Sequence, residues 1–349
     1  LWLDLASGSG TYDFSSFTYQ YFSRWEAVKG LVDLEPYVSN PAFPPIDLSK
    51  HVPACLETYA KYKGTLYGIP TLADAMIYVY NLDHFAAAGL DPEDPPATWE
   101  ELYDYCKKMT AGEQYGFALM GGRTEQASAT FTCVFAGLAR KGWYNDDGTL
   151  AWGSEEGLQA MKIMAEWLTE VSPPAASAWN ISDANNAVAQ AICSSEIQWP
   201  GMMPGLLNPE NSKVVGKLGF SAPPQGTALG GHAFGVLSSS HNKDAAYLLV
   251  EYLTSPEIQR EWVDEGYAIT ITELFEDPEI QALSPWLKAT GDALAVGVGF
   301  PTEEDTSEVW AICDQYINAA ITKEMTPEDA LNAMTEEVNA LRKEGGYIS

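Results

Sequence analysis

The segment from Lys63 to Thr110 alternates strand and helix signals, and it constrains the fold more than any other part of this sequence. Gly64 and Gly68 delimit a short hairpin. The apolar run from Met76 to Tyr80 is long enough for a buried strand. The alanine-rich helix after this run stops at Gly89, a residue that is favoured just past a helix. This order of elements predicts layered α/β structure.

The next helix carries its own start signal. Thr98 and Glu101 have the spacing of a capping box. Leu102, Tyr105, Cys106 and Met109 then fall on one helical face. The alternation continues along the chain, with strand signals at 114–120, 196–199 and 218–224 and helix signals at 124–140, 183–192, 242–255 and 307–321. The sequence therefore predicts an α/β protein with several such units.

The first residues predict a strand followed by a loop and a helix. Leu1 to Leu5 is an apolar run, and the stretch from Tyr12 to Trp25 is rich in aromatic residues and compatible with a helix. Ser7 lies in the polar Gly-rich loop between them. This loop is either a plain strand-to-helix connection or a ligand contact, because ligands in open α/β sheets bind where strands end.

The length of 349 residues is typical of about two domains. The 48 acidic residues outnumber the 19 basic residues, so the net charge is −29. We therefore expect nucleic acid and anionic membranes to be repelled. The excess of acidic residues predicts a strongly hydrated surface or, as an alternative, a cationic ligand.

No motif points to a metal, a cofactor or a membrane span. The five cysteines include no CxxC pair and no zinc-ligand spacing, so we expect no disulfide framework and no metal site. No Walker, HExxH, GxSxG or EF-hand pattern is present, and we expect no cofactor. No segment is apolar enough to span a bilayer. The sequence lacks a signal peptide, as a mature or trimmed protein would.

The order of several motifs resembles a known family, the family 1 extracellular solute-binding proteins of bacterial sugar importers, which include maltodextrin-binding proteins. The motifs that carry this resemblance are KGTLYGIP at 63–70, DHFAAAGLD at 83–91, TWEEL at 98–102, SPEIQ at 255–259 and TPEDAL at 326–331. Together with Gly230-Gly231, these motifs extend the resemblance over nearly the whole chain.

The resemblance implies a two-lobed periplasmic binding protein fold (type II-like), with discontinuous lobes joined by hinge crossings near residues 72–76 and 232–236. Lobe one then comprises residues 1–73 and 234–295, and lobe two comprises residues 74–233 and 296–349. The family's first strand–helix–strand unit has no counterpart before Gly30, so we expect N-terminal strands to be absent from this chain. The resemblance also implies a monomer that is periplasmic or extracellular, with a lipid anchor left open.

Sugar recognition needs flat aromatic faces for the ring and polar side chains for the hydroxyl groups. Asp74 interrupts an apolar run at the first crossing, and His232 follows the two glycines at the second. Trp199 follows a strand that often ends in Gly-x-Trp in the family. Either Trp199 or Met202 is therefore expected to face the cleft. The alternative is a solvated hinge residue for Asp74, a structural histidine for His232, and core packing for Trp199 or Met202.

The remaining candidates lie at strand and helix ends. Trp310 is in a helix where related receptors place a stacking aromatic side chain, and core packing is its alternative. Arg123 and Glu125 follow a strand end and are suited to bind hydroxyl groups, with a plain surface position as the alternative. Trp179 and Tyr267 are weaker candidates. The predicted ligand-binding set is Ser7, Asp74, Arg123, Glu125, Trp199, Met202, His232 and Trp310.

The sequence therefore predicts a binding protein, not an enzyme, that captures a carbohydrate or polyol in a cleft between its lobes. The resemblance implies that the closed form delivers this ligand to the permease subunits of an ABC importer. Two alternatives stay open. One is the same fold binding a cationic solute such as a polyamine, in keeping with the net charge of −29. The other is a glycoside-active enzyme, since 48 acidic residues leave room for a catalytic carboxylate pair.

Overall fold

The computed structural model describes residues 1–264 and 267–348, and the contacts within the chain divide it into two compact units. Unit one comprises residues 1–74, 230–287 and 301–306, and unit two comprises residues 75–229, 288–300 and 307–349. The lobe limits predicted from the sequence assign residues 74, 230–233, 288–295 and 301–306 differently, and those limits remain a prediction.

Helices and strands alternate along the chain. The helices are α1 Trp2–Ser7, α2 Phe22–Ala27, α3 Glu35–Val38, α4 Pro53–Cys55, α5 Leu82–Ala87, α6 Trp99–Met109, α7 Gln126–Ala139, α8 Glu155–Lys162, α9 Ile181–Ala189, α10 Met203–Leu207, α11 Lys243–Thr254, α12 Pro256–Asp264, α13 Thr272–Glu276, α14 Pro278–Leu283, α15 Trp286–Leu294, α16 Thr306–Ile321 and α17 Pro327–Glu344. The strands are β1 Phe14–Thr18, β2 Lys61–Tyr62, β3 Thr65–Leu66, β4 Ile69–Leu72, β5 Ile77–Asn81, β6 Ser195–Gln198, β7 Leu218–Ser221, β8 Thr227–Leu229, β9 His232–Val236 and β10 Gly297–Gly299. The π-helical segments Leu56–Ala60 and Ile163–Leu168 follow α4 and α8.

Unit one is built on a three-stranded antiparallel sheet in which β9 lies between β1 and β4. Helix α11 covers this sheet and buries Tyr247 and Val250 completely. These two side chains recur at helical spacing and therefore share one face. They join Leu34, Ile69 and Val236 in one hydrophobic core.

Unit two contains a second antiparallel sheet, in which β5 lies between β6 and β7, and a parallel pair formed by β8 and β10. Every residue of β5 is buried. Helix α7 is buried along most of its length, which is typical of a helix that is apolar on all sides. The rings of Phe131 and Phe135 in this helix lie 4.4 and 6.2 Å from that of Trp152.

The local predictions between residues 76 and 109 are confirmed. The predicted buried strand is β5, and the alanine-rich helix is α5, followed by Gly89 with φ 70°. The capping box is formed, because the Glu101 N–H donates to Thr98 Oγ1 over 3.2 Å and the Thr98 N–H donates to Glu101 Oε2 over 3.1 Å.

The N-terminal strand prediction is wrong. Residues Trp2–Ser7 form helix α1, which ends at Gly8 with φ 65°, and the Leu3 side chain is 86% exposed. A short apolar run is compatible with a strand or a helix. None of the strands in the described part of the chain pairs with it, so helical hydrogen bonds satisfy its backbone. The stretch from Tyr12 to Trp25 likewise contains strand β1 before the short helix α2.

The strand predicted at 114–120 is also wrong. Residues 117–120 are buried, as the apolar run indicates. The Phe117 N–H donates to the Val171 carbonyl and the Ala118 N–H donates to the Ser195 carbonyl, over 3.1 and 2.8 Å. Because these partners belong to two different segments, the run forms no regular ladder.

Candidate functional site

Unit one contains a cavity of about 280 Å³ beside strands β4 and β9. Its wall is formed by Ser16, Thr71, Leu72, His232, Phe234, Trp262 and Tyr267. Three hydroxyl groups, an imidazole and an indole N–H provide hydrogen-bonding atoms, and three aromatic side chains provide apolar faces. None of these side chains is a carboxylate, an ammonium or a guanidinium group. Such a wall suits a small, neutral, hydroxyl-bearing molecule.

His232 is the predicted residue that lies in this wall. Its Nδ1 atom is 3.4 Å from Ser16 Oγ, and its carbonyl accepts a hydrogen bond from Thr71 Oγ1 over 3.1 Å. Burial lowers the pKa of His232 below its ordinary value, so the ring is neutral at pH 7. A neutral imidazole has one donor and one acceptor nitrogen, which matches the two roles of a hydroxyl group.

The aromatic part of the wall is formed mainly by residues that the sequence analysis missed. Phe234 and Trp262 meet edge to face, with ring centroids 6.2 Å apart. Tyr267, a weaker candidate, is 48% exposed, and its N–H donates to the Trp262 carbonyl over 3.1 Å. Trp262 follows the SPEIQ motif in α12, but no local signal shows which face of that helix is turned to β9.

Asp74 lies where the chain leaves unit one. Its carbonyl accepts hydrogen bonds from the Gly230 N–H over 2.6 Å and from the Tyr59 hydroxyl over 3.2 Å. The residue is 8% exposed and does not belong to the cavity wall. Its backbone therefore joins the two segments of unit one that lead into unit two. A direct contact between its carboxylate and a ligand remains a prediction.

Ser7 does not lie at a strand end. It is the last residue of α1, its side chain is exposed, and its hydroxyl donates to the Asp4 carbonyl over 3.1 Å. The strand-end argument for this residue is therefore wrong, and Ser7 is outside the cavity wall of unit one.

Four predicted residues of unit two meet around the first turn of α7. Glu125 precedes this helix with φ 66°, and its carbonyl accepts a hydrogen bond from Trp310 Nε1 over 3.2 Å. Trp199 Nε1 donates to Gln126 Oε1 over 2.8 Å. The exposed Arg123 donates from Nε to Asn318 Oδ1 over 3.2 Å. Arg123, Glu125, Trp199 and Trp310 are thus brought together.

Trp199 and Trp310 are packed into a cluster of aromatic rings. Phe300 lies 4.7 Å from Trp310 and 6.2 Å from Trp199 between ring centroids, and Trp143 lies 5.7 Å from Trp310. Trp310 is 3% exposed and Trp199 is 9% exposed. Both indoles therefore contribute to the core, the alternative that the sequence left open. Met202 is half-buried in a turn and its N–H donates to the Trp199 carbonyl over 2.9 Å.

The N-terminus of α7 is occupied by a carboxylate from another helix. Asp314 of α16 accepts hydrogen bonds from the N–H of Glu125 and from the N–H and hydroxyl of Ser128, the last two over 3.0 and 2.5 Å. Burial raises the pKa of Asp314, although these hydrogen bonds act in the opposite direction. The sequence analysis missed this residue because the cap comes from a distant part of the chain.

Asp314→Ala is expected to destabilise the protein by about 2–4 kcal/mol, because it removes the acceptor of the Glu125 N–H, just before α7, and of the buried N–H and hydroxyl of Ser128. Asp314→Asn keeps one acceptor oxygen and is expected to cost less. Urea unfolding followed by tryptophan fluorescence measures both changes. A loss no larger than that of Asp104→Ala, an exposed position, would contradict this role.

Among the described residues there is neither a candidate membrane-spanning helix nor a candidate metal site. Among residues 1–264 and 267–348, no helix has both the length and the apolar character that crossing a membrane requires. The same part of the chain holds no group of three or more His, Cys, Asp or Glu side chains suited to a metal ion. All five cysteine thiols are unpaired and buried.

Known proteins resemble this chain both in sequence and in structure, and the sequence similarity covers most of the chain. The family model of the bacterial extracellular solute-binding proteins matches residues 3–260. A probable amino-acid ABC transporter periplasmic-binding protein of Sinorhizobium fredii is 32% identical over 355 residues, covering 99% of this chain and 80% of that protein. The mannitol-binding protein of Pseudomonas aeruginosa is 26% identical over 374 residues, covering 99% of this chain and 83% of that protein.

Two solved structures are similar over most of the chain. A solute-binding protein from Thermotoga lettingae, bound with α-D-tagatose, matches with a TM-score of 0.84 at 26% identity, covering 97% of this chain and 87% of that one. A solute-binding protein from Agrobacterium radiobacter in complex with ribitol matches with a TM-score of 0.86 at 24% identity, with the same coverage of 97% and 87%. The predicted two-lobed periplasmic binding protein fold is confirmed.

Proposed function

Because the chain belongs to the bacterial extracellular solute-binding proteins, we propose that it binds a carbohydrate or polyol and delivers it to an ABC importer. The observation that carries this proposal is the cavity of unit one, whose described wall has no charged side chain and combines hydroxyl groups, a neutral imidazole and aromatic faces. Two proteins similar to this chain bind such molecules, one named for mannitol and one bound with tagatose.

The cavity wall supports a neutral ligand over a cationic one. Ser16, Thr71 and His232 are suited to exchange hydrogen bonds with hydroxyl groups, and Trp262 offers a flat face to C–H groups. A polyamine would require carboxylates around its ammonium groups. No carboxylate lines the cavity among the described residues.

In unit two, we propose that the exposed side chains of Arg123 and Glu125 contact the ligand directly. Trp199, Trp310 and Asp314 hold the segment before α7 that carries both residues. The proposed role of Met202 is a half-buried apolar contact at the turn after β6.

Family membership implies a periplasmic or extracellular location. We further propose that the protein is a monomer, that permease subunits receive its ligand, and that the ligand leaves chemically unchanged. Release of new reducing ends from an oligosaccharide would contradict this last point. Whether a lipid anchor holds the protein at the membrane is a separate question, which mass spectrometry of the protein from its native host answers.

An amino acid is a second candidate ligand, because the Sinorhizobium relative carries that name at 32% identity. An amino acid carboxylate needs a cationic or N–H partner. No cationic side chain lines the cavity of unit one among the described residues, whereas Arg123 of unit two is exposed. The ligand screen therefore includes amino acids.

The test is a thermal-shift screen with ribitol, D-mannitol, D-tagatose, maltose, spermidine and the common L-amino acids. A ligand that binds only the folded protein stabilises it, by about 2.7 kcal/mol at 100 times its Kd. We expect the melting temperature to rise with at least one sugar or polyol. A rise with spermidine or an amino acid alone would overturn the proposal in favour of that class.

Trp262→Leu is expected to weaken binding of the ligand found in this screen by about tenfold, since it removes an aromatic face worth about 1.4 kcal/mol. Isothermal titration calorimetry measures the change. Trp2→Leu is the matched control, because Trp2 is 44% exposed in unit one and lies outside the cavity wall. Equal affinities of the two variants would exclude the cavity as the binding site.

A further inference from the structure

Three buried polar side chains lie behind the aromatic wall of the unit-one cavity. They are His51, Gln259 and Thr270, with 3%, 0% and 0% exposure, and we call them the Thr270 cluster. They come from three separate segments: the turn before α4, helix α12, and the stretch before α13. None of the three lines the cavity itself.

The hydrogen bonds of the cluster converge on Thr270. Its N–H donates to Gln259 Oε1 over 2.7 Å, and Gln259 Nε2 donates to Thr270 Oγ1 over 2.9 Å. The Thr270 hydroxyl has two carbonyl acceptors within reach, the Pro70 carbonyl and Gln259 Oε1, each at 3.1 Å. His51 Nδ1 is 2.9 Å from the same hydroxyl oxygen.

The contact between His51 and Thr270 holds one proton, and either neutral tautomer of the ring can form it. When His51 Nδ1 carries its own proton, the single proton of the Thr270 hydroxyl goes to the Pro70 carbonyl or to Gln259 Oε1, each 3.1 Å away. When the ring proton is on Nε2, Nδ1 accepts the Thr270 proton instead. Burial lowers the pKa of His51 to about 4, so the ring is neutral at pH 7. The neutral ring therefore completes the cluster in both tautomers.

The hydrogen bonds of the cluster involve three segments that carry parts of the wall. Pro70 is followed in β4 by the wall residues Thr71 and Leu72. Gln259 stands one helical turn before Trp262 in α12. Thr270 follows the wall residue Tyr267 after two intervening residues.

We propose that the Thr270 cluster positions the aromatic wall, and thereby sets the affinity of the cavity for its ligand. The proposal rests on the proposed function, because affinity depends on the cluster only if the cavity holds the ligand. The cluster acts through Trp262 and Tyr267 and makes no contact with the ligand.

The test compares Thr270→Val, which removes the hydroxyl, with Thr270→Ser, which keeps it. Thr132→Val is the matched control, because Thr132 is 1% exposed and its hydroxyl donates to the Ser128 carbonyl within α7 of unit two. Fluorine NMR of protein labelled with 5-fluorotryptophan reports the environment of Trp262, whose line Trp262→Phe identifies. Calorimetry with D-mannitol, or with whichever sugar the wild type binds, reports affinity.

We expect Thr270→Val to shift or broaden the Trp262 line and to weaken affinity about tenfold, whereas Thr270→Ser and Thr132→Val leave both unchanged. An unchanged Trp262 line in Thr270→Val would overturn the positioning role, and so would a shifted line with unchanged affinity. Nitrogen-15 NMR of the wild type gives a measurement that needs no variant to fold, and a cationic His51 ring at pH 7 would show that the cluster is open to water and would also overturn the positioning role. If the wild type binds no sugar or polyol, the proposed function fails, while the fluorine result still decides whether the cluster positions Trp262.

Discussion

Raising the pH from 5 to 9 is expected to destabilise the wild-type protein by about 3–5 kcal/mol more than it destabilises Glu196→Gln. Glu196 lies in β6 of unit two and is 0% exposed. Its Oε2 atom accepts one hydrogen bond, from Gln198 Nε2 over 3.0 Å. Its Oε1 atom is buried and has no hydrogen-bond partner among the described residues.

Burial raises the pKa of Glu196 from 4.5 to about 8, and the hydrogen bond from Gln198 offsets only part of this effect. The folded protein therefore keeps a proton that the unfolded chain releases. The stabilising contribution of this proton is fully present below pH 4.5 and is lost as the pH rises towards 8. Glutamine resembles the protonated form and does not titrate, so the variant lacks this loss.

Urea unfolding of both proteins at pH 5, 7 and 9 measures the difference. Glu113→Gln is the control, because Glu113 is an exposed residue of the same unit and its loss removes the same charge. The control is expected to follow the wild type at every pH. Parallel pH profiles for wild type and Glu196→Gln would show that Glu196 is ionised in the folded state.

Gly231→Ala is expected to destabilise the protein by about 3 kcal/mol or more. Gly231 has φ 129°, a backbone conformation that is close to exclusive to glycine. A Cβ atom at this position would lie 2.3 Å from Cε2 of Tyr59. Tyr59 cannot move away easily, because it is fully buried, its ring stacks on Tyr19 at 5.5 Å, and its hydroxyl is bonded to the Asp74 carbonyl.

Gly64→Ala separates the steric effect from backbone strain. Gly64 also has a positive φ, of 84°, but a Cβ atom there would meet no atom within 4 Å. We expect a loss of about 1 kcal/mol at this position from strain alone. Thermal or urea unfolding of both variants tests the comparison, and equal losses would mean that Tyr59 yields without cost.

The elements predicted correctly are those whose signals and partners lie close together in the sequence. The capping box of α6 uses side chains three positions apart, and Gly89 ends α5 through its own backbone conformation. Two of the failures, Leu1 to Leu5 and the run at 114–120, are apolar runs. Whether such a run becomes a strand depends on a partner from elsewhere in the chain.

The site shows the same distinction. Arg123, Glu125, Trp199 and Trp310 were predicted from motif positions, and the structure places them around one helix start, although their contact with a ligand remains a prediction. Trp262, the Thr270 cluster and Asp314 were missed. His51 and Thr270 are 219 positions apart, and Asp314 and Ser128 are 186 positions apart.

The sequence by itself determined the α/β class, the positions of α5 and α6 and the family, because these depend on periodicity, capping residues and motifs read within short windows. Only the tertiary structure decided which polar and aromatic side chains face the same cavity and which carboxylate caps α7. Such contacts join residues that no local pattern relates, and they form only when distant strands and helices pack together.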